Sequence, residues 1–204
     1  MSPLEILRAQ YQTLDATISA SIRRLGLKNA EPAQESLVLQ GAYLFGVRAF
    51  EAFLEGQIVS LCAPNATWGP KQVGGTQKRF IQKVIENNPR RVKALLAMGR
   101  SYGDYLPLDR TIDKAQVLFA AGRPFTLLDP SHKEVVKRAH VVRNLIAHDS
   151  TYSRRIFVKV VCSRYRLRAD QQTAESYLLY EAQKGLPLIK QDLGSLLDVA
   201  SFLS

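Results

Sequence analysis

The sequence predicts a single all-α domain spanning residues 1–204. Three observations lead there. Apolar residues recur at helical spacing along most of the chain. Clusters of Gly, Pro and Asn interrupt that pattern at intervals suited to helix ends. A strong helix-start signal, Asp129 to Glu134, precedes the most basic of the periodic stretches. No repeat, low-complexity tract or linker divides the chain.

The first helix is expected from about Leu4 to Leu25, where Leu4, Leu7, Tyr11, Leu14, Ile18, Ile22 and Leu25 share one face and Gly26 offers a stop. A second long helix is expected from about Pro32 to Cys62, with Leu37, Leu44, Phe45, Phe50, Phe53, Leu54 and Ile58 as core candidates. Ala63-Pro64-Asn65 breaks it, and Gly69-Pro70 and Gly74-Gly75 mark an extended loop. Shorter helices are expected at about 76–87, 90–99 and 111–121, with an irregular stretch from Ser101 to Pro107. Asp129-Pro130-Ser131-His132-Lys133-Glu134 then opens a helix to about His148, with Ser131 and Glu134 at capping-box spacing. His132 reads as a helix-start residue without chemistry. The basic segment Arg154 to Arg168 is expected to be helical, although the β-branched residues around Ile156, Val158, Val160 and Val161 disfavour a helix. A last helix from about Leu188 to Leu203 closes the domain.

Hydrophobic residues make up 46% of the chain and charged residues 23%, the balance of an ordinary soluble protein. No apolar run reaches the length of a membrane span, and the N-terminus lacks the zones of a signal peptide. Cys62 and Cys162 form no CxxC pattern, which argues against a disulfide framework or a zinc site. The expectation is a cytoplasmic protein with free thiols and no metal or other cofactor.

The net charge of +10 is uneven. Residues 133–168 carry ten Lys and Arg against Glu134 and Asp149, a local +8. A polyanion such as RNA is the natural partner for such a patch. Inside it lies Arg143-Asn144-Leu145-Ile146-Ala147-His148, followed by Asp149-Ser150. An imidazole moves protons near neutral pH, and a guanidinium holds phosphate. On a helix of about 100° per residue, Val135, Ala139, Val142 and Ile146 form the expected core face. Lys137, His140, Asn144 and His148 lie opposite. Arg143 sits on the flank, about 140° from His148. The pair therefore borders one cleft only if His148 lies at a frayed helix end or if a second copy of the helix packs across. His140 reads as an ordinary surface histidine.

The Arg-Asn-x-x-x-His run resembles the R-X4-6-H motif of the HEPN superfamily, with its polar residue directly after the Arg. Tyr43 to Glu55 resembles the second helix of such domains. Tyr177-Leu178-Leu179 and Leu196-Leu197-Asp198-Val199-Ala200 are similar to the tail of the RiboL-PSP-HEPN branch. The resemblance covers most of the chain in helix order, but only the motif is specific. It implies a helical bundle that forms a homodimer through the motif helices. It also implies a metal-independent endoribonuclease acting as a toxin or antiviral-defence effector, with an antitoxin or sensor protein as a further partner. One toxin branch carries a modified Tyr two residues after the His; this chain has Ser150 there, and its nearest Tyr is Tyr152.

RNA carries its own nucleophile, the 2′-OH, so cleavage to a 2′,3′-cyclic phosphate needs no metal. His148 is the candidate general base or acid. Arg143 is the candidate for stabilising charge on the phosphate. Asn144 is expected to orient His148 or the phosphate, and Glu51 to fix an Arg or His in the cleft. Lys137, Arg138, Arg154, Arg155, Arg164, Arg166 and Arg168 are expected to hold the RNA backbone in a salt-dependent way. One alternative is a non-catalytic RNA- or partner-binding HEPN module, which keeps the patch but does not need His148. Another is a helical DNA-binding regulator, which needs an exposed recognition helix. Arg154 to Arg168 could supply that helix, but its apolar residues suit a core. The stretch Gly74 to Lys78 lacks the pattern of a phosphate-binding loop.

Overall fold

The computed structural model describes residues 1–27, 29, 31–63, 66, 88–97, 104–183 and 185–204. The described residues are 80% helical and 3% strand, an all-α fold. The expected helix at 76–87, the loop around Gly69-Pro70 and Gly74-Gly75, and residues 101–103 lie outside them.

Helix α1 (Pro3–Leu25) begins with Ser2 and Glu5 in a reciprocal capping box. It buries Leu7, Tyr11, Leu14 and Ile18, as the periodicity predicts. Helix α2 (Pro32–Leu61) returns beside it. Pro3 lies against Gly56, the Tyr11 hydroxyl donates to the Gly46 carbonyl at 3.0 Å, and the Ser21 hydroxyl donates to Glu35, so the two helices are antiparallel. By length and composition α2 could cross a membrane, contrary to the sequence expectation. Here it is the central helix of the core, packed by α1 and by the later helices described below. Phe50, Phe53, Leu54 and Ile58 are fully enclosed, whereas Leu37 (70% exposed) and Phe45 (55%) face outward. The apolar stripe on α2 is too wide for periodicity to mark its inner edge.

Helix α3 (Pro89–Ala97) touches α2, and residues 104–106 lead without regular structure into α4 (Leu108–Leu118). Two 3-10 turns, Ala120–Gly122 and Phe125–Leu127, follow. Gly122 has φ +66, and a Cβ there would come within 2.7 Å of Gln116, so only glycine suits the position.

Helix α5 (Pro130–His148) carries the motif. Its N-cap is Asp129, whose carboxylate accepts from the His132 N–H at 2.8 Å; this corrects the expectation that Ser131 caps the helix. The Ser131 hydroxyl instead donates to the same carboxylate. The core face is also turned relative to the expected one. Val136, Ala139, Val141, Val142 and Leu145 are buried, whereas Val135 and Ile146 are half-buried. Asp149 ends α5 in the left-handed region (φ 40), a conformation that Asp tolerates better than most residues. Ser150 then caps α6 (Thr151–Phe157). The chain passes through a π-turn, Val158–Cys162, into the short α7 (Ser163–Tyr165). The β-branched segment is thus helical with one irregular turn. Phe157, Val161 and Cys162 are buried in it.

Three elements were not expected: α8 (Ala174–Leu179) and a two-stranded antiparallel hairpin, β1 (Glu181–Gln183) with β2 (Leu186–Pro187). Helix α9 (Leu188–Leu203) lies as expected. Its Asp192 meets Tyr43 and its Leu203 carbonyl accepts from Gln57, so it runs parallel to α2. Its Asp192 also meets Arg138 and its Phe202 meets His132, so it runs antiparallel to α5. Both cysteines are free and buried, and burial pushes each thiol up to about 11.

Candidate active site

The outer flank of α5 carries a hydrogen-bonded run of three side chains. Arg143 Nη1 donates to Asn144 Oδ1 at 3.0 Å, and Asn144 Nδ2 lies 3.0 Å from His140 Nε2. All three residues are half-buried. The guanidinium has no acceptor, so it fixes the amide with its oxygen toward Arg143. The amide N–H₂ then faces His140, whose Nε2 must accept. His140 is therefore neutral with its proton on Nδ1. Burial holds it below the usual imidazole range, assisted by the positive charges of Arg143 and Arg110. Its Nδ1 is buried and has no partner among the described residues.

His148, the last residue of α5, is exposed and makes no hydrogen bond or ion pair among the described residues. The helix stays regular through this position. Arg143 and His148 therefore diverge by about 140° around its axis, as the helical arithmetic requires. Asn144 contacts His140 rather than His148. The sequence signal for this was the i, i+4 spacing of His140 and Asn144. Arg110, from α4, was not read as part of the site.

The basic residues separate by partner. Arg138 is 5% exposed and belongs to the core, which corrects its reading as an RNA contact. Its Nε and Nη2 both donate to Asp192 Oδ1 at 2.8 Å, while Asp192 Oδ2 accepts from Tyr43 at 3.0 Å and Tyr177 at 2.7 Å. Burial and the Asp192 charge push both phenols well above their usual range, so they remain donors. Arg154 makes a two-point pair with Asp149 (2.7 and 2.6 Å). Arg168 pairs with Asp170 at 3.1 Å, and Arg164 with Glu134 at 3.8 Å. Lys137, Arg155 and Arg166 are exposed without an ion pair among the described residues, and Arg155 lies over the Tyr152 ring at 5.5 Å. Of the expected RNA contacts, these three are the ones left without a carboxylate partner among the described residues.

Glu51 is 6% exposed, and its ion-pair partner among the described residues is Arg48 of α2 at 3.5 Å. It does not bond the motif residues. A cleft of about 650 Å3 opens at the C-terminal end of α5, with Leu145, Ile146, Asp149 and Arg154 on one side. Among the described residues no group of three or more His, Cys, Asp or Glu could hold a metal ion.

Comparison with protein-family models, with curated proteins and with solved structures returns no match for this chain.

Proposed function

We propose that the protein is a metal-independent endoribonuclease of HEPN type whose working surface is the outer flank of α5. The observation that carries this reading is the Arg143–Asn144–His140 run. Asn144 anchors one guanidinium nitrogen and leaves the remaining N–H donors of Arg143 free for a phosphate oxygen. His148 supplies a free imidazole on the same helix.

On one copy these two groups point apart, so the reading requires two α5 helices packed together in a homodimer. Arg143 of one copy and His148 of the other then border one phosphate. One His148 takes the proton of the RNA 2′-OH as the 2′-oxygen bonds to phosphorus. The 5′-oxygen leaves with that proton, returned by the same imidazolium. Arg143 stabilises the charge that builds on the phosphorane oxygens. Lys137, Arg155 and Arg166 hold the flanking backbone. Such an activity suits a cytoplasmic toxin or antiviral-defence effector held in check by an antitoxin or sensor.

The test is cleavage of total RNA and tRNA in EDTA, with end-group analysis. Wild type should leave 2′,3′-cyclic phosphate ends, and Arg143→Ala and His148→Ala should each abolish cleavage without loss of helix content. Cleavage by both variants at the wild-type rate would rule the site out. The divergence of Arg143 and His148 on a single helix favours a second reading, a non-catalytic RNA-binding module. In that case RNA binds with a steep salt dependence and emerges uncut from wild type and His148→Ala alike.

A further inference from the structure

The cleft at the end of α5 has a chemistry that phosphate binding does not use. Its polar lining includes Gln40 of α2, Asp149 at the end of α5, and Gln172 and Glu175 around the start of α8. Leu145 and Ile146 give it an apolar wall. The charge of Asp149 is matched by Arg154. Glu175 is exposed and has no ion pair among the described residues. Each glutamine commits one amide donor internally. Gln40 Nε2 donates to Ser36 Oγ at 3.0 Å, and Gln172 Nε2 donates to the Leu167 carbonyl at 3.2 Å. Each keeps its Oε1 and a second N–H.

The cleft therefore presents a free carboxylate, amide acceptors and amide donors beside an apolar wall. The Glu175 charge repels a phosphate but suits a flat heterocycle rich in N–H groups. Among the RNA bases, guanine alone places two adjacent N–H donors, N1–H and the N2 amine, on its Watson–Crick edge. These match the two oxygens of a carboxylate, and the neighbouring O6 accepts from an amide N–H. Asp149 lines the cleft and directly follows His148, so a base held there keeps its own phosphate close to the end of α5.

We infer that this cleft is a base-recognition subsite that selects an unpaired guanine beside the cleaved phosphate. The inference rests on the RNA reading above and adds the sequence preference of the same site. Glu175 is the specificity-determining residue, and Gln40 assists it.

The experiment measures binding of the wild-type protein to five-nucleotide RNAs, UUNUU, in which N is G, A, C, U or inosine. A 2′-deoxy sugar at N prevents cleavage there. The guanine RNA should bind at least about fivefold tighter than the A, C and U versions, the discrimination expected of one good two-point base contact. Inosine, which lacks the N2 amine, should fall between. Glu175→Gln should erase the preference while leaving affinity for the uracil RNA unchanged, and Gln40→Met should reduce it. Equal binding of all five RNAs by wild type overturns the subsite and leaves the RNA reading standing, as does a preference that survives Glu175→Gln. Failure of every RNA to bind overturns both.

Discussion

Arg138 and Arg143 lie on the same helix, inside the same basic stretch, and their surroundings differ completely. Arg138 points inward and meets Asp192, which also accepts from Tyr43 and Tyr177. That cluster ties α2, α5, α8 and α9 together. Arg143 lies on the outer flank, bonded to Asn144 on its own helix and carrying spare donors. The difference shows that a basic run does not define a binding surface by composition. A distant carboxylate can claim one member for the core, and only the members without such a partner remain to meet a polyanion.

Breaking the inner cluster should have the largest effect. Asp192→Ala leaves the Arg138 guanidinium buried without its counter-charge and removes the acceptor of two tyrosines. We expect a loss of about 3–5 kcal/mol in urea unfolding. Arg143→Ala, on the outer flank, should stay within about 0.5 kcal/mol of wild type, because it removes no buried partner. A loss as large as that of Asp192→Ala would erase the distinction between the two faces.

Gly46→Ala tests the packing of α9 on α2 without touching a charge. The added Cβ would lie 2.5 Å from Leu193 Cδ2, at the flexible end of a side chain. Overpacking of this kind should cost about 1–3 kcal/mol. No loss would mean that the Leu193 side chain yields freely to the added Cβ.

The outer flank should reveal itself by pH. His140 is held neutral by burial, by Arg143 and by Arg110, so its folded-state value lies below the unfolded one. The unfolded chain therefore binds the proton first as the pH falls. The contribution of His140 is fully present above the ordinary imidazole range and is lost as the pH falls through that range toward the lowered folded value. His140→Gln should flatten this part of the stability profile, measured by urea unfolding from pH 7.5 to pH 5 against wild type. An unchanged slope would show that His140 is not held in this way. The smallest effect is expected at the exposed Asp149–Arg154 pair. Asp149→Asn should move the thermal midpoint only slightly, because solvent screens the pair.

The main helices were legible because each has a clear apolar stripe and a clean stop. Periodicity located α1 and α9 closely, and the Asp129-Pro130 signal located the start of α5. The inner edge of α2 was not legible, since Leu37 and Phe45 look like core residues in an apolar stretch and only the third dimension turns them outward. Helix α8 and the short hairpin were missed because they are too brief to show a period. Of the candidate site residues, Arg143, Asn144 and His148 were named from the motif. The contact between Asn144 and His140 was available from their spacing, but nothing local favoured it over a surface histidine. The Arg138–Asp192 pair was out of reach, because its partners lie 54 residues apart and neither carries a local sign of burial.

In the proposed nuclease, Arg143 and His148 serve one phosphate from opposite copies of α5. The direct test mixes Arg143→Ala protein with His148→Ala protein, after mild denaturation and refolding to exchange subunits, and measures RNA cleavage in EDTA. Each variant alone should be inactive. The mixture should regain part of the wild-type rate, because a mixed dimer holds one site with both groups intact. A mixture as inactive as its components, beside an active wild type taken through the same refolding, would contradict a site shared between two copies.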